Sequence, residues 1–272
     1  MTSLEQIGDR YNIRIRRIVS PVIGHIPYNC AGRQEGSRVG QESAHIVRSY
    51  EQELEHLRSM MARMGGLVER QTSQAIAAIA DRDENAAGVA SDLDPQVDTL
   101  ERDVEAMVIR ILALRSPVAG DLREVVSALK ITGDMERIGD CAASIARRSL
   151  RAELLTSRIS LSGLRGMGRL VQDNLRRAID AMSQRNPDLA REVWQSDTAV
   201  DELYNAMFRE LVTYMMEDPR NIGACTHLLF IAKNLERIGD HATNIAERVY
   251  YTATGEILPV VRPRGGFSGQ GN

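Results

Sequence analysis

From His45 onward, apolar residues recur at steps of three and four: Val47, Tyr50, Leu54, Leu57, Met61, Met64, Leu67, Val68, Ala75 and Ile79. That spacing is the period of an amphipathic helix. Asp81-Arg82-Asp83 interrupts it, and Asp83 is placed to cap the next helix. A second helix is expected over about 84–115, with Val89, Leu93, Val97, Leu100, Val104, Met107 and Ile111 on one stripe, ended by Ser116-Pro117. A third, over about 118–150, carries Val125, Ala128, Ile131, Met135, Ile138, Ala142 and Ile145. The period weakens over 151–160 and the scheme then repeats. Helices are expected at 161–185, at 187–217 after Asn186-Pro187, and at 219–252 after Asp218-Pro219. Six long helices with short connections predict an all-α fold of two tandem, antiparallel three-helix bundles, residues 44–152 and 153–254. Residues 1–43 show no sustained period and are expected as a flexible extension. The tail, 255–272, is expected to be disordered.

The two halves are copies of one unit. Residues 136–148 read Glu-Arg-Ile-Gly-Asp-Cys-Ala-Ala-Ser-Ile-Ala-Arg-Arg, and residues 236–248 read Glu-Arg-Ile-Gly-Asp-His-Ala-Thr-Asn-Ile-Ala-Glu-Arg. Nine of thirteen positions are identical at an offset of 236 − 136 = 100. Upstream, Asp94-Pro-Gln-Val-Asp98 is matched by Asp197-Thr-Ala-Val-Asp201, at an offset of 103.

The copies carry four carboxylate pairs: Asp94/Asp98, Glu136/Asp140, Asp197/Asp201 and Glu236/Asp240. A spacing of four places both members on one helix face, about 40° apart. Like charges there repel by a few tenths of a kcal/mol, a cost that a bound cation would remove. Hard cations prefer such clustered oxygens. Glu136 and Asp140 lie roughly 140° from the centre of their apolar stripe, and Asp94 and Asp98 roughly 100° from theirs. A metal would therefore sit in a surface groove between helices. Taken singly, each pair is equally a solvated helix face, with Arg137, Arg147, Arg237 or Arg248 as counter-ion. Asp94 before Pro95 also has the form of an N-cap. Recurrence in register across both copies favours a metal- or anion-linked function for the set.

Composition narrows the alternatives. The 34 basic and 37 acidic residues give a net charge of −3, without the clustered cations that nucleic acid requires. Eleven aromatic residues and eight prolines disfavour a β-sandwich. Three isolated cysteines, Cys30, Cys141 and Cys225, offer neither a disulfide framework nor a zinc site and point to a reducing compartment. No run approaches the ~18 apolar residues of a membrane span. Arg16-Arg17 is followed by a stretch too broken by proline and glycine to be an export signal. His56 lies in a single Glu-x-x-His unit where a di-iron site needs two, and is read as a surface residue. His241 points about 100° away from Asp240 and is left out of the acidic set.

The duplicated Glu-Arg-Ile-Gly-Asp, the four acidic pairs, the segment Pro117-Val-Ala-Gly-Asp-Leu-Arg123 and the opening His45-Ile-Val-Arg-Ser-Tyr-Glu51 resemble the PhoU family of bacterial phosphate-signalling proteins. The resemblance spans residues 44–254. It implies a cytoplasmic, homodimeric regulator that represses the phosphate-starvation response. Such a regulator acts as a non-catalytic adaptor between the cytoplasmic components of the phosphate ABC transporter and a sensor histidine kinase. It also implies metal (Fe, Zn, Mn or Mg) held by Asp94, Asp98, Glu136 and Asp140 in one bundle and by Asp197, Asp201, Glu236 and Asp240 in the other. Glu101, Glu105 and Glu247 are possible accessory acids. Glu101 and Glu105 have Tyr204 and Phe208 as counterparts, and Glu247 has Arg147, so the two sites are expected to differ. The competing readings are a carboxylate-bridged oxidase or phosphohydrolase and a purely structural dimerisation module.

Overall fold

The computed structural model of the chain describes residues 36–151, 154 and 159–259. The chain divides into Met1–His45, of which 36–45 are described as the start of a helix, and one compact unit, Ile46–Asn272.

Seven α-helices and one 3-10 turn are described, with no strand among the described residues. The first repeat holds α1 (Gly36–Ala80), α2 (Glu84–Arg115) and α3 (Ala119–Ser149). The second holds α4 (Ser162–Gln184), α5 (Pro187–Gln195), α6 (Asp197–Glu217) and α7 (Ile222–Thr254). The boundaries reflect local chemistry. Asp83 accepts hydrogen bonds from the backbone N–H groups of Asn85 and Ala86 at 2.9 and 3.1 Å, capping α2. Asn186 does the same for α5, with Pro187 at the first helical position where its missing N–H costs nothing. Asp218 caps the turn Pro219–Asn221, and Gly255, at φ 77°, ends α7 in the left-handed conformation that glycine adopts without strain.

Three expectations need adjusting. Helix α1 reaches back to Gly36, ahead of the apolar period, so residues 36–43 of the expected extension are helical; residues 1–35 lie outside the described residues, as does the tail from 260. The single helix expected over 187–217 is two. Ser196 breaks it by turning its N–H onto the carbonyls of both Glu192 and Val193 and its hydroxyl onto Val193 and Asn174. At the matching place in the first repeat, Pro95 lies inside a continuous α2. Asp94 is therefore not an N-cap.

Each repeat buries its apolar stripes as a three-helix bundle, the middle element of the second being α5 and α6 together. The repeats then pack on each other through two antiparallel pairs. Between α1 and α4, Gly65 accepts Ile179 and Gly168 accepts Ile76. A methyl added at either glycine would come within 3.0 Å of the isoleucine Cγ2. These contacts are reciprocal, since 168 − 65 and 179 − 76 both equal 103. Between α3 and α7, Asp134 meets His241 and Asn244, and the Arg148 guanidinium stacks over Phe230 at 4.2 Å. Glu124 on α3 is clamped by Arg58 of α1 (2.6 Å to Nε) and by Arg185, the C-cap of α4. Burial opposes ionisation of Glu124, but the two guanidiniums hold its carboxyl below the usual range.

Adjacent glycines should therefore respond oppositely. Gly66 faces open space, so Gly66→Ala should raise stability by about 0.5–1 kcal/mol through helix propensity alone. Gly65→Val drives a branched side chain into Ile179 and should cost about 1–3 kcal/mol. Chemical denaturation of both variants checks the pair; destabilisation of equal size by both would refute the close α1–α4 approach.

Candidate functional site

In the first repeat the acids project from two neighbouring helices. Asp94, Asp98, Glu101 and Glu105 run along one side of α2, and Glu136 and Asp140 along the facing side of α3. Asp94 is half-buried and accepts a hydrogen bond from Gln71 Nε2 of α1 at 2.9 Å. Gly139 lets this happen. A Cβ there would stand 3.0 Å from Gln71 Oε1 and 3.4 Å from Val97, so the glycine in the motif is the seat on which α1 and α2 close against α3. Gln71 is wholly buried, and its Oε1 has no hydrogen-bond partner among the described residues.

The rest of the set has no direct partner and is offset only by the nearby charges of Arg102 and Arg137. Asp98, Glu101, Glu105, Glu136 and Asp140 make no hydrogen bond or ion pair among the described residues. Burial pushes the Glu136 carboxyl above its ordinary value, and the charges of Asp140, Glu101 and Asp98 push it the same way against Arg137. Burial, Asp98 and Glu105 likewise raise Glu101.

The second repeat is built to the same plan with different electrostatics. Asp197, Asp201, Glu236 and Asp240 line a cavity of about 490 Å³, together with Arg137, Arg237, His241 and Asn244. Arg137 belongs to the first repeat, so one motif's arginine borders the other motif's acids. The two motifs also adjoin at Cys141. Burial raises its thiol pKa, Glu136, Asp140 and Glu236 add to the rise, and Arg237 opposes it. Lys233 Nζ stands 2.6 Å from both carboxylate oxygens of Glu236 and 5.4 Å from the centre of the Tyr204 ring. The first repeat has Gly133 where this lysine stands and Glu101 where this tyrosine stands, at offsets of 100 and 103. The second set thus contains a directly paired cation, whereas the first feels Arg102 and Arg137 without an ion pair among the described residues.

Four participants escape a reading of the sequence. Gln71 and its counterpart Asn174 (174 − 71 = 103) are buried polar residues on otherwise apolar stripes, and that anomaly is the available signal. Thr243 donates to Asp197 Oδ1 at 2.9 Å. Lys233 carries a signal too, as one of two lysines in the chain. His241, kept out of the acidic set by its angle from Asp240, lies in the cavity wall with Nδ1 2.9 Å from Asp134. Glu247 accepts from Trp194 Nε1 at 3.1 Å, and His56 is exposed.

Two segments, residues 61–149 and 164–249, match the PhoU domain. The chain belongs to the PhoU family. A relative from Caulobacter vibrioides, named phosphate-specific transport system accessory protein PhoU homolog, is 50% identical over 224 residues, 81% of this chain and 96% of its own length. One from Zymomonas mobilis with the same name is 43% identical over 80% of this chain and 92% of its own. Among solved structures, PhoU from Pseudomonas aeruginosa superposes with a TM-score of 0.74 at 43% identity, covering 76% of this chain and all of its own. The phosphate transport system regulatory protein PhoU from Streptococcus pneumoniae gives 0.71 at 31% identity, over 78% of this chain and all of its own. The two PhoU segments end on α3 and α7, so both acidic sets fall within the matched residues.

The donor set suits a hard cation in kind, being all oxygen. As the side chains stand, however, no three His, Cys, Asp or Glu residues among those described are grouped to hold one ion, so a cation would have to draw them together. A pH test arises from the raised carboxyls. An acid whose folded pKa lies above its unfolded value costs stability once ionised, a cost that appears as pH rises through the folded pKa. In metal-free buffer, Glu136→Gln should raise the melting temperature at pH 7. The gain should shrink towards the unfolded value of 4.5, where the wild-type carboxyl takes up its own proton. A gain independent of pH would refute the crowding of these acids.

Proposed function

We propose that the chain is a non-catalytic regulator of phosphate uptake and of the phosphate-starvation response. In this reading it works in the cytoplasm as a homodimeric adaptor between the phosphate transporter's cytoplasmic components and a sensor histidine kinase. Support comes from membership of the PhoU family and from relatives named as accessory proteins of the phosphate-specific transport system. No helix among the described residues is long and apolar enough to cross a membrane, so contact with the transporter would be made at its surface.

The observation that carries a metal into this reading is the first repeat's acidic face. There Asp98, Glu101, Glu105, Glu136 and Asp140 make no ion pair among the described residues, and only the nearby charges of Arg102 and Arg137 oppose their crowding. Asp94, Asp98, Glu136 and Asp140, with Glu101 and Glu105 at the edge, would hold a di- or trivalent ion of iron, zinc, manganese or magnesium between α2 and α3. The ion would tie the two helices and cancel their repulsion. In the second repeat Asp197, Asp201, Glu236 and Asp240 would do so only after Lys233 gives up Glu236. Metal should therefore enter the first repeat at lower concentration.

Calorimetric titration with Mn²⁺ checks this. Glu136→Ala should abolish the tight event and leave the weak one, while Lys233→Met should tighten the weak one by about tenfold. Equal loss of both events in Glu136→Ala would overturn the order. The regulatory reading is tested in a strain deleted for the gene, with an alkaline phosphatase reporter in abundant phosphate. Reporter output should be high without the gene and low with the wild-type chain. It should stay high with a folded Glu136→Ala/Glu236→Ala chain. Full repression by that double variant would separate the acids from regulation.

A further inference from the structure

The acidic face of the first repeat does not end at its acids. On α2, Asp98, Glu101, Glu105, Ile109 and Leu112 fall within about 80° of arc, and on α3 so do Leu122, Val126, Leu129, Gly133, Glu136 and Asp140. Glu136 feels the charges of Asp98 and Glu101, so the acidic halves of the two stripes adjoin. The helices run antiparallel through a three-residue connection, 116–118, which brings the apolar halves together as well. Those apolar residues are open to solvent. Ile109, Leu112, Leu122, Val126 and Leu129 are between 37% and 58% exposed, although each is a large hydrophobe on a helix that buries its other faces. Isolated exposed apolar side chains are ordinary, but a contiguous row of them marks an interaction surface. From Leu122 to Asp140 the row is roughly 27 Å long, about five helical turns.

The remaining faces of α3 are taken. Glu124 and Asp121 face α1, through Arg58 and Tyr50. Asp134 and Arg148 face α7. The groove between α2 and α3 is where a fourth helix of the bundle would lie, and Gly133, with nothing within 4 Å of its Cβ position, leaves the floor open at the junction of the two halves. We propose that this groove docks an amphipathic helix from a partner protein, apolar along one half and basic along the other. Charge complementarity selects that occupant. Five carboxylates stand along the acidic half without an ion pair among the described residues, whereas the matching face of the second repeat carries Lys233 on Glu236. An apolar face laid into a groove supplies affinity, and the charges fix its direction. A divalent cation on the same carboxylates would compete with the basic half of the helix.

The test uses the full chain and two labelled helical peptides of about 18 residues, of identical composition. One has its leucines and arginines segregated into halves; the other has them interleaved. The segregated peptide should bind at least about tenfold tighter, and Mn²⁺ should weaken it. Gly133→Lys should weaken it by a similar factor. That variant reproduces in the first repeat the lysine–glutamate pair already present in the second, and it replaces a helical glycine by a better helix former, so its melting temperature should not fall. Met216→Ser, at an exposed apolar site outside the groove, should change nothing. Equal binding of the two peptides, or undiminished binding to Gly133→Lys, overturns the proposal. So does sedimentation showing that the chain alone self-associates and that Leu122→Asp abolishes this, because the groove is then covered by a second copy.

Discussion

The arrangement of this molecule depends on two glycines meeting two isoleucines. Gly65 and Gly168 give α1 and α4 their close approach, and each receives the isoleucine that the other repeat supplies at the same relative position. Reciprocity of this kind is the signature of a two-fold interface, in which residue i touches j and j touches i. Here it occurs within one chain. Closing α1 on α4 leaves α3 and α7 to pair on the same pseudo-axis. That pairing brings both Glu-Arg-Ile-Gly-Asp motifs to either side of Cys141 and sets Arg137 against the acids of the other repeat. The site is a product of how the copies pack as much as of what each contains.

Within this near-symmetric frame the charges have diverged. A lysine and a tyrosine in the second repeat stand where the first has a glycine and a glutamate. One copy is thereby partly neutralised from within, while the other keeps crowded carboxylates, two of them pushed towards their protonated forms by burial and by neighbouring acids. The backbone cost of Gly139 has a clear return in the seat it gives Gln71 and Asp94. Gly133 has no such packing contact, its Cβ position being open.

Much of this is legible in the residues. The three- and four-step periods locate the helices because burial of one stripe dominates helix stability in a bundle. Aspartate, asparagine and proline mark the ends because capping is local chemistry. The break at Ser196 is not legible. The apolar period runs through it, and the residue that turns the backbone is held by Asn174, from a helix about twenty residues upstream. Pro95 shows the converse, a residue that breaks helices in isolation tolerated inside a packed one. In the site, the paired spacing exposes the carboxylates but cannot say which acquire partners. Lys233, Thr243 and Gln71 reach their acids from other turns or other helices. Only the anomaly of a polar residue on an apolar stripe hints at the last of these.

A duplicated chain has the option of melting in two steps, one per copy. Glu124 argues against that here. It sits on the first repeat's third helix yet is gripped by one arginine from its own bundle and by another at the end of the second bundle's first helix. Releasing the second bundle would leave this mostly buried carboxylate with one of its two guanidiniums, a cost that crosses the boundary between the copies. The stability of one copy is therefore coupled to that of the other, whatever independence their two-part descent once gave them.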